Sequence, residues 1–262
     1  MMELINQIIR NLIPKCLLAV TILSLQLLPH LSRADHIIGS DISYVCSGND
    51  DSTYKVIFNF YRDCNGCYVL SQSPKCGTSE NCASALTAPT NVTVRCTKGS
   101  GGTTLSLKRK SIVDITPTCK SVKSRCAQPC NGSYPYGIEK HTFEGILDLR
   151  SAMKNGCCNF ELSVLLYVRN VGITTGQSQQ PFYTTCELNA CLDECNSSPA
   201  LTNDPVAILC CNQPYVFNNG ALDTSNYDSI SYAFSPAFRG RNSQNSYSGG
   251  RSPKNPISTY FP

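Results

Sequence analysis

Apolar and polar side chains alternate with a period of two along several stretches of this chain. They are Tyr54-Lys55-Val56-Ile57-Phe58-Asn59-Phe60-Tyr61, Asn91-Val92-Thr93-Val94-Arg95 and Thr104-Leu105-Ser106-Leu107-Lys108, with Phe160 to Val168 a denser run of the same residue types. Neighbouring side chains of a strand point to opposite faces, so this pattern predicts strands with one side buried. Ile37 to Cys46, Ile112 to Thr116, Ile138 to Leu147, Val206 to Cys211 and Ile230 to Phe234 are weaker candidates. Turn-forming runs such as Cys46-Ser47-Gly48-Asn49-Asp50-Asp51 and Lys98-Gly99-Ser100-Gly101-Gly102 separate them. The best helical candidate is the short stretch Leu149 to Lys154.

Many short strands joined by Gly- and Asn-rich turns predict an all-β chain, a disulfide-stapled β-sandwich read as two Ig-like modules packed in tandem. The core tryptophan of antibody-type domains is missing, since the chain has no Trp. The polar loop Ile173 to Pro181 predicts a boundary between a first sandwich domain, 35–172, and a smaller β module, 181–235. Residues 236–262, rich in Gly, Ser and Pro, read as an extended polar tail in which Arg239, Arg241, Arg251 and Lys254 are solvated.

The N-terminus has a different pattern. Arg10 and Lys15 precede the apolar run Cys16 to Leu28, and Ser32-Arg33-Ala34 supplies small residues at a cleavage position. That order predicts a secretory signal peptide over 1–34. At a rise of about 1.5 Å per residue the run falls short of a hydrocarbon core of about 30 Å, which argues against a membrane anchor. No later stretch approaches that length, so the expectation is a secreted or cell-surface protein without a transmembrane segment in its mature part. Three of the 22 basic and one of the 18 acidic residues fall in the leader, leaving 19 and 17, too balanced to point to nucleic acid or anionic lipid.

Export changes the meaning of the cysteines. Of 17, only Cys16 lies in the leader, leaving Cys46, Cys64, Cys67, Cys76, Cys82, Cys96, Cys119, Cys126, Cys130, Cys157, Cys158, Cys186, Cys191, Cys195, Cys210 and Cys211. An even number in an oxidising compartment reads as a disulfide framework. Consecutive Cα atoms stand about 3.8 Å apart, below the usual disulfide span of about 4.4–6.8 Å. Cys157 and Cys158, and likewise Cys210 and Cys211, are therefore expected to bond in opposite directions, one toward the core and one outward. Cys64-Asn65-Gly66-Cys67 has the spacing of a zinc knuckle or redox motif, but no second such pair stands at ribbon spacing and no βαβ pattern surrounds it.

Catalytic signals are sparse. His36 and His141 are the histidines beyond the leader, and no nucleophile-elbow motif accompanies them. Glu139, Glu144, Asp148 and Glu161 could supply a glycosidase-type carboxylate pair only through the fold. Asp223, Asn226 and Asp228 offer oxygen ligands in a loop entering a predicted strand, a calcium candidate, against which stands a polar turn whose side chains cap their own backbone. Asn91, Asn131 and Asn196 stand in glycosylation sequons that matter only in a eukaryotic secretory pathway.

Several stretches in one order resemble a family. Asp35-His36-Ile37-Ile38-Gly39-Ser40-Asp41-Ile42-Ser43-Tyr44 and Tyr61-Arg62-Asp63-Cys64-Asn65-Gly66 are similar to the opening of the large secreted surface proteins of gliding bacteria. Leu188-Asn189-Ala190-Cys191, Cys195-Asn196-Ser197-Ser198-Pro199, Thr202-Asn203-Asp204-Pro205-Val206, Gln213 to Ala221 and Tyr260-Phe261-Pro262 continue the likeness. The resemblance implies an N-terminal cysteine-containing β-domain, normally followed by PKD or Ig-like repeats and a C-terminal sorting domain; the sequence ends where the family continues, which reads as a truncated gene or a module without its own sorting signal. The resemblance implies export, surface display and a role in gliding motility or adhesion, with a cell-surface or extracellular protein or polysaccharide as partner, and it brings no catalytic residues. Ser40 in place of the second glycine of the opening motif, and the lack of Asp-Gly-Asp at Asp223, depart from the family pattern. The function expected is therefore that of a non-enzymatic structural or adhesive protein. The alternatives are a secreted carbohydrate-processing hydrolase and a calcium-dependent carbohydrate-binding module.

Overall fold

The alternation along 53–63 becomes one wall of the core. The computed structural model describes residues 37–47, 51–64, 68–70, 73–75, 91–119, 121–126, 134–166, 169, 173, 176, 180–192, 195–207, 214, 216–223, 225 and 227–256. Within it β2 (Thr53–Asp63) turns Tyr54, Val56, Phe58 and Phe60 inward, none more than 1 % exposed, and leaves Lys55, Ile57 and Asn59 half-buried on the other face. β1 (Ile37–Cys46) and β8 (Ile138–Asp148) pair antiparallel with the two sides of β2, and β7 (Lys108–Asp114) adds to β8. The resulting four-stranded sheet runs β1-β2-β8-β7.

A second sheet grows from β9 (Asn159–Leu166). On one side lie β5 (Asn91–Cys96) and β6 (Gly102–Ser106); on the other lie β10 (Phe182–Asn189), β13 (Phe238–Gly240) and β14 (Ser243–Gln244). The dense run 160–166 resolves into alternation. Phe160, Leu162, Val164 and Leu166 are buried, whereas Leu165 is 45 % exposed. These residues, with Val92 and Val94 of β5, pack in one cluster against the inner face of the first sheet. Two small ladders form sheets of their own, β3 (Tyr68–Leu70) with β4 (Ser73–Lys75) and β11 (Ala200–Leu201) with β12 (Ala221–Leu222). α1 (Arg150–Lys154) follows β8 at the predicted helical stretch. Among the described residues no helix is long and apolar enough to cross a membrane.

The chain crosses between sheets at a single residue. The predicted strand Thr104 to Lys108 is instead the end of β6 in one sheet and the start of β7 in the other, with buried Leu107 at the corner. The corner sits tightly on Gly145 of β8, where a Cβ would come within 2.7 Å of the Ser106 carbonyl oxygen. Only glycine admits that approach.

Several expectations are corrected here. β10 was not anticipated, because its burial lacks clean alternation; it pairs with β9 along its whole length, from Phe182↔Leu166 to Asn189↔Asn159. Strands on both sides of the Ile173–Pro181 loop thus share one sheet and one core, so the described residues of 35–172 and 181–235 form a single sandwich rather than tandem modules. Contacts divide the chain only near the predicted cleavage point, with Ala34–Pro262 as one unit; the leader itself lies outside the described residues. Nor is 236–262 wholly a free tail: Phe238 pairs with Tyr183 of β10, and Arg241 donates from Nε to Glu161 at 3.0 Å. Ile230 to Phe234 forms no strand, since no neighbouring ladder receives it; the Tyr232 hydroxyl accepts the Ala221 N–H at 2.9 Å. Of the candidate Val206 to Cys211, Val206 and Ala207 are not in a strand and the remainder lies outside the described residues.

Among the described residues four disulfides tie these elements: Cys46–Cys195, Cys64–Cys126, Cys96–Cys157 and Cys158–Cys191. The adjacent cysteines diverge as expected, with Cys157 buried in the core and Cys158 bonded to exposed Cys191. Cys119 and Cys186 depart from the expected framework, being free thiols. Cys119 is exposed in the loop after β7, and the ladder neighbour of Cys186 is Leu162 rather than a cysteine. Cys67, Cys76, Cys82, Cys130, Cys210 and Cys211 lie outside the described residues.

Two outcomes follow. Non-reducing peptide mapping will recover Cys96–Cys157 and Cys158–Cys191 as separate links; a Cys157–Cys158 bond would contradict this arrangement. In urea denaturation Leu162→Ala will cost about 2–5 kcal/mol, against less than about 1 kcal/mol for Leu165→Ala on the opposite face.

Candidate functional site

The outward positions of the four-stranded sheet carry a row of polar side chains. Asp41 of β1 stands opposite Asn59 of β2, which stands opposite Thr142 of β8. Asn59 donates from Nδ2 to Asp41 Oδ1 at 2.9 Å and accepts at Oδ1 from the Thr142 hydroxyl at 2.9 Å. The Tyr61 hydroxyl donates to Asp41 Oδ2 at 2.7 Å. Burial, together with that hydrogen bond, raises the Tyr61 phenol far above its ordinary value and keeps it a donor. Each group in the row has its orientation set by its neighbour before any ligand arrives.

A second wall turns this face into a groove. Residues 197–204 lie along the open edge of β1, where Ser198 donates its N–H to the Tyr44 carbonyl at 2.9 Å and its Oγ accepts the Tyr44 N–H at 2.9 Å. Ser197 Oγ accepts from Cys46 N at 3.1 Å, and the Cys46–Cys195 bond fastens the segment covalently. Farther along, Lys140 of β8 donates to Asp204 Oδ1 at 2.8 Å, closing the far end. The enclosed groove measures about 670 Å³. Asp41, Asn59, Tyr61, Lys140, Asn203 and Asp204 line it with donors, acceptors and both signs of charge, suited to a polar, hydroxyl-rich ligand.

Cys186 reaches the same groove from β10. Burial, with the Glu187 and Asp41 carboxylates adding to it, pushes its thiol up to about 12, so it is protonated and unreactive at neutral pH.

A second cluster lies inside the core. Arg62 and Glu139 face each other across β2 and β8 and are 2 % and 4 % exposed, with Arg62 Nε 3.4 Å from Glu139 Oε2. His141, fully buried, places Nε2 3.1 Å from the same oxygen and its ring edge-on to Phe60 at 5.8 Å. Burial lowers the His141 pKa, Glu139 opposes that shift, and the charges of Arg62 and Arg109 reinforce it. The Cys64–Cys126 bond seals this end of the sandwich. Cys64, Cys126 and Glu139 are the one group of three metal-ligand types brought close together among the described residues, and its two sulfurs are consumed by their own bond.

The residues singled out from the sequence are scattered. Glu139 lies in the core; Glu144 lies outside on β8 beside Lys55 and Lys110; Asp148 pairs with Arg150; Glu161 holds Tyr183 and Arg241 on the other sheet. The fold does not bring these four together as a carboxylate pair. Asp223 accepts the Ser225 N–H at 2.9 Å, the self-capping turn weighed against calcium, while Asp228 is exposed and Asn226 lies outside the described residues. No motif in the sequence singles out the groove residues. Asn59 was visible only as an outward position of a strand, and Asp41, Tyr61 and Asp204 only as members of the stretches that carry the family resemblance. Compared with protein-family models, curated proteins and solved structures, the chain finds no match.

Three measurements address these sites. Below pH of about 6.5 the unfolded histidine takes up a proton that buried His141 refuses. Stability from this group is therefore complete above that pH and falls as the pH drops toward the lowered folded value. Denaturation between pH 7.5 and 5 will show the loss, and His141→Gln will flatten it. Glu139→Gln, which leaves Arg62 charged and buried, will cost about 3–5 kcal/mol, and Arg62→Met with Glu139→Leu together will cost less than the sum of the two single changes. With a thiol reagent, mass spectrometry will find Cys119 labelled in the native protein and Cys186 only after unfolding.

Proposed function

We propose that this protein is an exported structural or adhesive module of the cell surface, related to the surface proteins of gliding bacteria, that binds an extracellular protein or polysaccharide. The observation that carries the reading is the groove on the four-stranded sheet. Its polar row is pre-oriented, its second wall is held by a disulfide, and it draws on four of the stretches on which the resemblance rests: Asp41 and Ser43 from the first, Tyr61 from the second, Ser198 and Pro199 from the stretch after Cys195, and Thr202, Asn203 and Asp204 from the next. Pre-orientation limits the ordering cost of binding. The four disulfides among the described residues fit a protein that works in an oxidising environment.

Protease treatment of intact cells carrying a tagged chain will degrade the tag-bearing protein, and deletion will weaken attachment or spreading. Asn59→Ala with Lys140→Ala will reduce attachment at unchanged surface abundance. A tagged chain confined to the cytoplasm would end this reading.

A further inference from the structure

We infer that a second, basic groove at the β6–β7 corner binds an acidic polysaccharide. The site encloses about 310 Å³ between Lys55 of β2, Glu144 and Ile146 of β8, and Lys108 and Lys110 of β7. Three ammonium groups thus surround one carboxylate. Lys55 Nζ and Lys110 Nζ approach the two oxygens of Glu144 only to 3.9 and 3.7 Å, while Lys108, opposite Glu144 in the ladder, makes no ion pair among the described residues.

The construction is specific. A register shift between Arg109 and Ser111 makes Lys110 the extra residue of a β-bulge, and both Lys108 and Lys110 stand next to Glu144. Gly145 lets the corner settle onto β8 and so forms the floor. Lysines and a bulge on an edge strand also discourage pairing with another sheet, which accounts for Lys108 and Lys110. It does not account for Lys55, which projects from β2, two strands in from that edge. The groove, rather than the edge, is what the three share.

The lining chooses among polyanions. Among the described residues it contains no aromatic side chain on which a nucleobase could stack. Its cations are lysine point charges rather than the arginine forks that recognise phosphate bidentately. Ile146, 62 % exposed, offers an apolar surface to the C–H face of a sugar ring. An extended chain of carboxylated sugars meets both the charge and this surface, each contact being weak and sensitive to salt.

This inference names the partner of the surface module proposed above and rests on that reading for where the polymer would be met. Its test uses purified full-length protein, so failure here leaves the localisation result intact. Affinity electrophoresis through polygalacturonate will retard the protein, and retardation will vanish near 0.5 M salt, where the screening length falls to about 4 Å. Lys55→Gln, Lys108→Gln and Lys110→Gln combined will weaken binding at least about tenfold at low salt, with Tm preserved because none of the three lies in the core and their contacts with Glu144 are long, while Lys254→Gln will change nothing. Equal retardation by neutral dextran, or binding unaffected by the triple change, would overturn the proposal. Tighter binding of single-stranded DNA through the same lysines would replace it with a nucleic-acid site.

Discussion

The central strand of the larger sheet is pinned on both sides at one end, and much of the sandwich depends on that constraint. Cys157 and Cys158 immediately precede β9; one bonds to Cys96 at the end of β5 and the other to Cys191 just past β10. Two bonds from adjacent residues therefore hold the two neighbours of β9 in place together. In the chain-entropy account each closure of this length contributes about 3–4.5 kcal/mol, and the two are not independent. Because β10 also lies against β1, fixing β10 fixes where the two sheets meet: Ser40 and Thr184 share a hydrogen bond of 2.5 Å across that junction. The groove is built on this junction, with Cys186 of β10 in its lining.

The opposite end of the core carries a cost. An arginine, a glutamate and a histidine occupy positions that the alternation reserves for apolar side chains, and removing such charges from water is expensive even when they are paired. The register across β2 and β8 makes the arrangement tolerable by setting Arg62 opposite Glu139 and His141 opposite Phe60. A slip of one residue would turn all of them to the wrong face. The cluster is thus satisfied only in this register, and Cys64–Cys126 closes the chain over it.

Both grooves lie on the outward face of the same sheet, and both form where a neighbouring segment crosses or covers an edge. At the β1 edge the cover is a strap tethered through Cys195; at the β7 edge it is the corner at Leu107. Closing an exposed edge and building a concave polar surface are here one structural act. The first groove is balanced in charge and internally hydrogen-bonded, whereas the second carries excess positive charge.

The alternation read from the chain already assigned most strands and their inward residues: Tyr54, Val56, Phe58 and Phe60, or Val92 and Val94, need no neighbour to reveal which face is apolar. Bond geometry likewise required the adjacent cysteines to diverge. β10 escaped because Phe182 to Glu187 is half-buried or exposed, with only Leu188 fully in the core, and lacks the periodicity that marks strands like β2. The joining of 35–172 and 181–235 into one sandwich escaped because strand partnership is a contact between residues far apart in sequence, and a polar loop looks the same whether it separates domains or turns a hairpin. The site was hidden for the same reason. Asp41, Asn59, Lys140 and Asp204 are ordinary polar residues in four separate segments. Local sequence decides which way a side chain faces; only the pairing of distant strands, held by disulfides, decides what it faces.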